Sequence, residues 1–570
     1  MNKPRYAIGN GSVPQPKPSA PSFEEVCDAR GSISTIKPRL AIGNGSVSQP
    51  KPAPSFVTVH NERGSMSTIQ TTGLKVTNII AEETVITRNR ADIEGANRIR
   101  YTSGQQQVIS AQANSRYVGY IEATTPILII RDPELIKHIT VKDHDHFVDH
   151  KPFFSEEIAP LFANSLIMMK GERWRDMRTT LSPAFTSSKL RHMLPFIREI
   201  SSNIVNHLKA HQKQDVDIDD LMRRYTNDVI ASTAFGLQMD SVKEKDNEFY
   251  KTGQAMFVFT PLQRIYFFLN AMCPWLSKLI NIQVFPESVS KFFLDIVSTT
   301  MKHRMENNVE RPDMIQLLME ASKGSLKDTS TEQEEANNIA IAGDTFKPKA
   351  ISRQWTPMEL AGQLFIFFAA GFESTASTLV MLIHELTLNP DIQEKVYQEF
   401  INYKKQYGEM TFDGLQKLKY LDCVVNEVFR KWAIALIMDR ECTKAYQLPP
   451  PREGGKPYIV KPGDYVYNMV NSLHMDPKYF PNPEVFDPER FSEENKHNIK
   501  PFTFMPFGIG PRNCIASRFA LMELKAVVYD IILNFKLVKC KKTTDPIRLS
   551  PEFFTIKALG GTWIQLEERN

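Results

Sequence analysis

At 570 residues the chain is too long for one small domain and long enough for one large domain plus additional sequence. Its 42% apolar content is ordinary for a globular protein, and a formal net charge of +4 on this length argues against a nucleic-acid partner. The six cysteines (Cys27, Cys273, Cys423, Cys442, Cys514, Cys540) include no C-x-x-C pair, which argues against a disulfide framework or a zinc site.

Residues 1–70 form a duplicated segment rich in Pro, Gly and Ser. Lys3-Pro4-Arg5-Tyr6-Ala7-Ile8-Gly9-Asn10 recurs as Lys37-Pro38-Arg39-Leu40-Ala41-Ile42-Gly43-Asn44. Gly31-Ser32-Ile33-Ser34-Thr35-Ile36 recurs as Gly64-Ser65-Met66-Ser67-Thr68-Ile69. Two copies do not make a solenoid. Few large apolar residues are present to offset the entropy of ordering, so disorder is expected. Residues 71–115 carry short apolar patches (Val76, Ile79, Ile80, Val85, Ile86) without a clear period and read as a linker. No run near the start approaches the ~20 apolar residues that span a bilayer, and no signal-peptide pattern occurs.

From Tyr117 onward the chain reads as a folded enzyme. Ile127-Leu128-Ile129-Ile130 predicts a short strand, and Asp132-Pro133 predicts the N-cap and first turn of a helix. Helical patterns dominate thereafter. The other strand candidates are short: Tyr458-Ile459-Val460, Tyr465-Val466-Tyr467, Phe535-Lys536-Leu537-Val538 and Trp563-Ile564-Gln565-Leu566. The expected fold class is therefore mainly α with a small β portion.

Trp174 and Arg178, at i and i+4, share one helix face. The stretch from Met256 to Leu269 is apolar and aromatic and is divided at Thr260-Pro261. Each half is too short to span a bilayer, and aromatics with one arginine suit an interfacial position. Thr356-Pro357-Met358-Glu359 is a capping box with proline at the first helical position. It opens a pattern running to Leu388, a helix on the order of 45 Å long. Gln363, Glu373 and several hydroxyls identify this run as a helix through the domain centre rather than a membrane span. Inside it, Ala370-Gly371 precede an acid and two hydroxyls, Glu373-Ser374-Thr375. Glu427 and Arg430 stand at i and i+3 of an apolar helix (Val424, Val425, Val428, Phe429). Arg440 lies in Asp439-Arg440-Glu441-Cys442, and Arg490 in Phe486-Asp487-Pro488-Glu489-Arg490-Phe491.

The most informative stretch is Phe507-Gly508-Ile509-Gly510-Pro511-Arg512-Asn513-Cys514-Ile515-Ala516. Gly508 and Gly510 permit a tight loop, and Cys514 is expected at the N-terminus of the apolar helix that follows. Backbone N–H groups and the helix dipole favour a thiolate there. One thiolate with Arg512 is poor at holding zinc, which takes four ligands. It suits a metal that brings most of its own ligands, such as haem iron. The loop resembles the cysteine-ligand loop of the cytochrome P-450 monooxygenases, F-x-x-G-x-R-x-C-x-G, with Ala516 in place of the last glycine. The resemblance covers about residues 116–568. It is finer to insect microsomal members near family nine, through the stretches Ile130 to Lys137, Phe147 to His150, Arg311 to Ile315 and His474 to Phe480.

The resemblance implies the large helical haem-thiolate fold and heme b, iron protoporphyrin IX, with Cys514 as axial thiolate and metal ligand. Phe507 and Arg512 belong to the same cofactor-binding loop, and Trp174, Arg178 and Arg440 match the family's further haem-binding positions. It implies insertion of one oxygen atom from O2 into an apolar small molecule, a xenobiotic or an endogenous lipid-like compound. Electrons are expected from a separate NADPH-dependent flavoprotein reductase, with Arg173 and Arg175 as candidate docking charges. Ala370 and Gly371 leave space for dioxygen, and Glu373 with Ser374 or Thr375 relays protons. Adjacent helical residues point about 100° apart, so one hydroxyl is expected to face the iron, and Ser374 is favoured. Glu427, Arg430 and Arg490 match the family's buried structural triad beside the cysteine loop. Ala433-Ile434 stand where the family usually has a proline pair. Microsomal members begin with a membrane anchor, and residues 1–115 are expected to be unrelated sequence in its place. The expected location is the cytosolic face of the endoplasmic reticulum membrane, held peripherally through Met256 to Leu269, with insect detoxification as the setting.

Overall fold

The structure, a computed structural model, describes residues 56–60, 66–70, 115–211, 214–257, 260–279, 285–322, 340, 355–550 and 556–569. Most of the duplicated segment and nearly all of the linker expected at 71–115 lie outside the described residues. The chain divides between Val85 and Ile86. In the first unit, β1 (Phe56–His60) pairs antiparallel with β2 (Met66–Gln70), Phe56 opposite Gln70.

The second unit holds the remaining strands: β3 (Tyr117–Glu122), β4 (Thr125–Ile130), β5 (Val216–Asp217), β6 (Ile437–Glu441), β7 (Tyr446–Leu448), β8 (Tyr458–Val460), β9 (Tyr465–Met469), β10 (Phe535–Val538) and β11 (Trp563–Glu568). They make small separate sheets, the largest in the order β3-β4-β9-β6. In it β4 runs parallel to β9, with Ile127 opposite Tyr465, and β6 closes antiparallel, with Arg440 opposite Val466. Each strand anticipated from sequence is present. β1, β2, β3, β5, β6 and β7 were not anticipated: β1 and β2 form a hairpin inside the segment expected to be disordered, β3 is the hairpin partner of β4, and β5, β6 and β7 are short pieces that pair with β11, β9 and β8 and carry no period of their own.

Helices make up most of the unit, which is mainly α with a small β portion. Those that build the site are α1 (Gly171–Leu181), α2 (Ser187–Ala210), α3 (Ile218–Phe235), α4 (Pro261–Met272), α5 (Pro357–Leu388), α6 (Lys419–Lys431) and α7 (Ser517–Asn534). The capping box at the start of α5 is closed in both directions. Thr356 Oγ1 accepts from the Glu359 amide at 3.2 Å, and Glu359 Oε2 accepts from the Thr356 amide at 2.9 Å. The 32 residues of α5 run through the core, which explains why so apolar a helix is not lipid-exposed. Two glycines let neighbours approach it. A Cβ at Gly362 would stand 2.8 Å from the Asn164 carbonyl oxygen, and one at Gly371 would stand 2.5 Å from Cδ1 of Ile230 on α3. Around its middle the core is aromatic. Phe368 stacks on Phe372 at 5.4 Å, and Phe235, Phe249 and Phe293 pack edge-on or tilted against Phe368. Edge-to-face pairs add cohesion beyond their buried area.

Candidate active site

The cysteine loop is shaped by backbone hydrogen bonds and two left-handed glycines. The Cys514 amide donates to the Phe507 carbonyl at 2.7 Å, the Asn513 amide to Gly510 at 3.0 Å and the Gly508 amide to Met505 at 3.1 Å. Gly508 and Gly510 have φ of +76° and +78°. A Cβ at Gly510 would lie 1.9 Å from the Thr140 carbonyl oxygen, so no other residue fits there. Ala516 is the N-cap of α7 with φ −100°, a conformation alanine adopts without strain. That explains how the chain tolerates alanine at this position.

Cys514 is the exposed cysteine among the described residues, yet the surrounding protein desolvates it. Burial pushes its thiol up, while the Ala516 N–H and the nearby Arg178 charge pull it down. The sulfur is therefore open to a ligand while the atoms around it withhold full hydration. Cys442 contrasts with it: it is buried, its thiol donates to the Lys444 carbonyl at 3.0 Å, and burial pushes its pKa up to about 11. It is an ordinary buried cysteine, one residue beyond the end of β6.

Helix α1 lies on this loop with the face that the i, i+4 spacing predicts. Arg178 donates Nη1 to the Asn513 carbonyl at 2.8 Å and Nη2 to Asn513 Oδ1 at 2.7 Å. One turn earlier, the Trp174 ring lies 3.9 Å from the Arg512 guanidinium carbon. Arg512 also bonds the Val148 carbonyl (2.9 Å), the Met169 carbonyl (2.9 Å) and Asp149 Oδ1 (3.1 Å). The same Asp149 oxygen accepts from the Gly171 amide at the start of α1, at 2.8 Å. Burial and repulsion from Arg440 bring the Arg512 pKa down to about 9, against the pull of Asp149.

Arg440 is buried on β6, with Nη1 bonded to the Asp439 carbonyl at 2.6 Å. Among the described residues it makes no ion pair within 4 Å. Burial lowers its pKa, and the Asp439 charge opposes this. Asp439 itself is held by His150 Nδ1 at 2.9 Å and the Lys151 amide at 2.6 Å. Burial pushes the His150 pKa down, with Asp439 opposing.

The buried ensemble thus gathers the guanidinium groups of Arg178, Arg440 and Arg512 and the carboxylates of Asp149 and Asp439 beside a reachable sulfur. Arg440, with no ion pair among the described residues, is a buried cation that calls for an anionic partner. The donor set fits a haem: sulfur for iron, and arginines for the two carboxylates on the porphyrin edge.

On α5 the small and hydroxylic residues separate by face. Ala370 is exposed although it lies mid-helix, and Ser374, one turn on, is half-buried. Ser374 Oγ donates to the Ala370 carbonyl at 2.5 Å. Thr375 is 4% exposed and turned into the core. Glu373 does not share the Ala370–Ser374 stripe. It is 3% exposed and ion-paired with Arg223 of α3, so the acid and the hydroxyl expected to act together point different ways. The physical reason is the helix itself, which turns adjacent residues about 100° apart.

The structure brings Glu427, Arg430 and Arg490 together. Arg430 donates Nε and Nη2 to the two Glu427 oxygens, each at 2.7 Å, and Arg490 Nε lies 3.6 Å from Oε1. Arg430 also bonds the His474 carbonyl at 3.1 Å. His474 accepts at Nε2 from the Met505 amide at 3.0 Å and is linked through Nδ1 to the Phe429 carbonyl at 3.3 Å. Burial drives its pKa down to about 3, so the ring is neutral. This chain of contacts ties the triad to the start of the cysteine loop. Phe507 packs edge-on against Phe429 of α6 at 5.0 Å.

Sequence reasoning missed Arg223, Asp149, His150, Asp439, His474 and Asn513. Asp149, His150 and His474 fall in stretches that carry the finer resemblance, but no spacing marked them as parts of a site. The two arginines expected to dock a partner differ: Arg173 bonds Glu359 at 2.8 Å and serves the fold, while Arg175 pairs near the surface with Glu172 at 2.9 Å.

Comparison with known proteins agrees with this geometry. The family model described as Cytochrome P450 matches residues 104–563. The chain is 41% identical over 470 residues to the probable cytochrome P450 9f2 of Drosophila melanogaster, covering 80% of this chain and 87% of that one. It is 39% identical over 487 residues to cytochrome P450 9e2 of Blattella germanica, covering 82% and 89%. It is 36% identical over 483 residues to cytochrome P450 9b2 of Drosophila melanogaster, covering 83% and 90%. A cysteine cradled by two left-handed glycines, buried arginines gathered beside it and a match along most of the chain converge: the protein belongs to the cytochrome P450 family and is a P450 monooxygenase.

Proposed function

We propose that this enzyme inserts one oxygen atom from O2 into an apolar small molecule, a xenobiotic or an endogenous lipid-like compound, with electrons from a separate NADPH-dependent flavoprotein reductase. The observation that carries the reading is the accessible, desolvated sulfur of Cys514 beside three buried arginines. Bound heme b supplies the reductive activation of O2, which no side chain provides. Cys514 is the residue that holds its iron. Arg178, Arg440 and Arg512 take up its carboxylates, with Trp174 fixing Arg512 by stacking and Phe507 closing the loop. Glu427, Arg430 and Arg490 hold the loop from behind.

On the other side, Ala370 keeps the stripe of α5 small enough for dioxygen, whereas Gly371, expected to share that role, gives its space to Ile230 of α3. Ser374 presents the hydroxyl that can hold and pass a proton, since its present acceptor is only the carbonyl of its own helix. The aromatic packing around Phe368 and Phe372 keeps water out and favours apolar substrates.

The location we propose is the cytosolic face of the endoplasmic reticulum membrane, held peripherally. Leu262, Ile265 and Phe268 of α4 and the following Trp275 are 54%, 54%, 65% and 68% exposed, an apolar face suited to a lipid interface. Phe267 packs on Phe154 at 5.2 Å, so the interfacial face excludes it. The test of the whole reading is the carbon monoxide difference spectrum of the reduced protein. Wild type is expected to give the band of thiolate-ligated haem, and Cys514→Ala to lose both that band and turnover. Normal turnover by the alanine variant would overturn the assignment.

A further inference from the structure

Helix α3 meets α5 at the level of the acid and hydroxyl residues through three different contacts. Ile230 fills the notch left by Gly371, where a Cβ would stand 2.5 Å from Cδ1. Thr226 Oγ1 donates to the Phe372 carbonyl at 2.9 Å. The third contact is charged. Arg223 pairs through Nη1 with Glu373, and donates Nε and Nη2 to Asp219 at 3.1 and 3.2 Å. Lys557 Nζ lies 3.4 Å from Asp219. The Arg223, Asp219 and Glu373 side chains are buried, 6%, 7% and 3% exposed, and Lys557, 29% exposed, stands at the edge of the cluster. Burial alone would lower the Arg223 pKa; Glu373 and Asp219 outweigh it, and the net shift is upward.

We infer that Arg223 is a positioning residue for proton delivery: it holds the Glu373 carboxylate against α3, so that the open stripe of α5 is left to Ala370 and the Ser374 hydroxyl. The inference rests on the monooxygenase reading and adds to it a residue outside α5. The Ser377 hydroxyl, 3.4 Å from Glu373 Oε1, carries no charge to replace the guanidinium, and a buried carboxylate deprived of its cation must regain solvation. The open face lies one residue round the helix, and Glu373 turned that way brings water to the stripe. Water there supplies protons without regard to substrate. Two electrons and two protons carried to O2 then leave as hydrogen peroxide, and no oxygen atom is inserted.

The test uses full-length holoenzyme. Amide hydrogen exchange over residues 370–376 of the resting protein gives a readout independent of turnover. The fraction of consumed NADPH recovered as hydrogen peroxide, with the flavoprotein reductase and 7-ethoxycoumarin as apolar probe, gives the second. Arg223→Met is expected to speed exchange across these amides and to raise the peroxide fraction about threefold. Arg223→Lys, which keeps the charge, is expected to stay near wild type. Glu373→Gln placed in the Arg223→Met background is expected to reverse both effects, because an amide has no charge to hydrate. Arg223→Gln provides the same comparison should the methionine variant lose haem. Exchange unaltered by removing the Arg223 charge overturns the inference, as does failure of the second substitution to reverse it. Glu373→Gln alone, uncoupling as strongly as Ser374→Ala, also overturns it, since the acid would then be relaying protons itself. Each of these outcomes leaves the carbon monoxide spectrum of the wild type intact, whereas failure of the monooxygenase reading removes that spectrum.

Discussion

Ser374 and Thr375 are neighbours in sequence with opposite surroundings. Ser374 is half-buried on the stripe of Ala370, and its hydroxyl donates to the carbonyl one turn back. Thr375 is packed into the core at 4% exposure. Replacing Ser374 by alanine is therefore expected to raise the share of NADPH lost as peroxide on the order of threefold or more, whereas Thr375→Ala should change it far less. Equal peroxide yields from the two variants would refute the choice of Ser374. The same residue-scale reasoning explains the loop. Gly510 sits at φ +78° with a carbonyl oxygen 1.9 Å from where its Cβ would be, while Ala516 sits at ordinary φ and has no need of glycine.

Among the elements, α1 and α4 show how one helix face acquires a purpose. The spacing of Trp174 and Arg178 marks a face, but only packing shows that this face lies on the cysteine loop. In α4 the aromatic run is legible in sequence, and the division of labour within it is not. Phe267 turns inward to Phe154, and Phe268 turns outward at 65% exposure. Phe268→Ser is accordingly expected to weaken liposome binding about tenfold, the loss of one buried aromatic side chain from a lipid interface, with haem content unchanged. A flotation assay measures this. Flotation equal to wild type would show that another surface anchors the protein.

At the scale of the whole molecule the Glu427–Arg430 pair is a fully buried ion pair, with both side chains at 0% exposure. It joins α6, Arg490 and, through His474, the Met505 amide ahead of the loop. Arg430→Met would leave Glu427 short of its principal partner inside the protein. The expected cost is about 3–5 kcal/mol, read as a lower urea midpoint of the haem-loaded protein. A midpoint close to wild type would show that Arg490 alone satisfies the carboxylate. The sequence by itself determined whatever depends on near neighbours: the capping box at Thr356, the apolar length of α5, the glycine loop around Cys514 and the i, i+3 pairing of Glu427 with Arg430. Such features follow from backbone geometry within a few residues, where chain connectivity already brings the groups together. Only the tertiary structure decided the contacts made across the chain. Arg178 meets Asn513 from 335 positions away, Arg512 meets Asp149 from 363, and Arg223 draws Glu373 away from its neighbouring hydroxyl from 150. A lone arginine or aspartate has no spacing to announce its partner, and burial, which makes each charge demand one, exists only once the helices have packed.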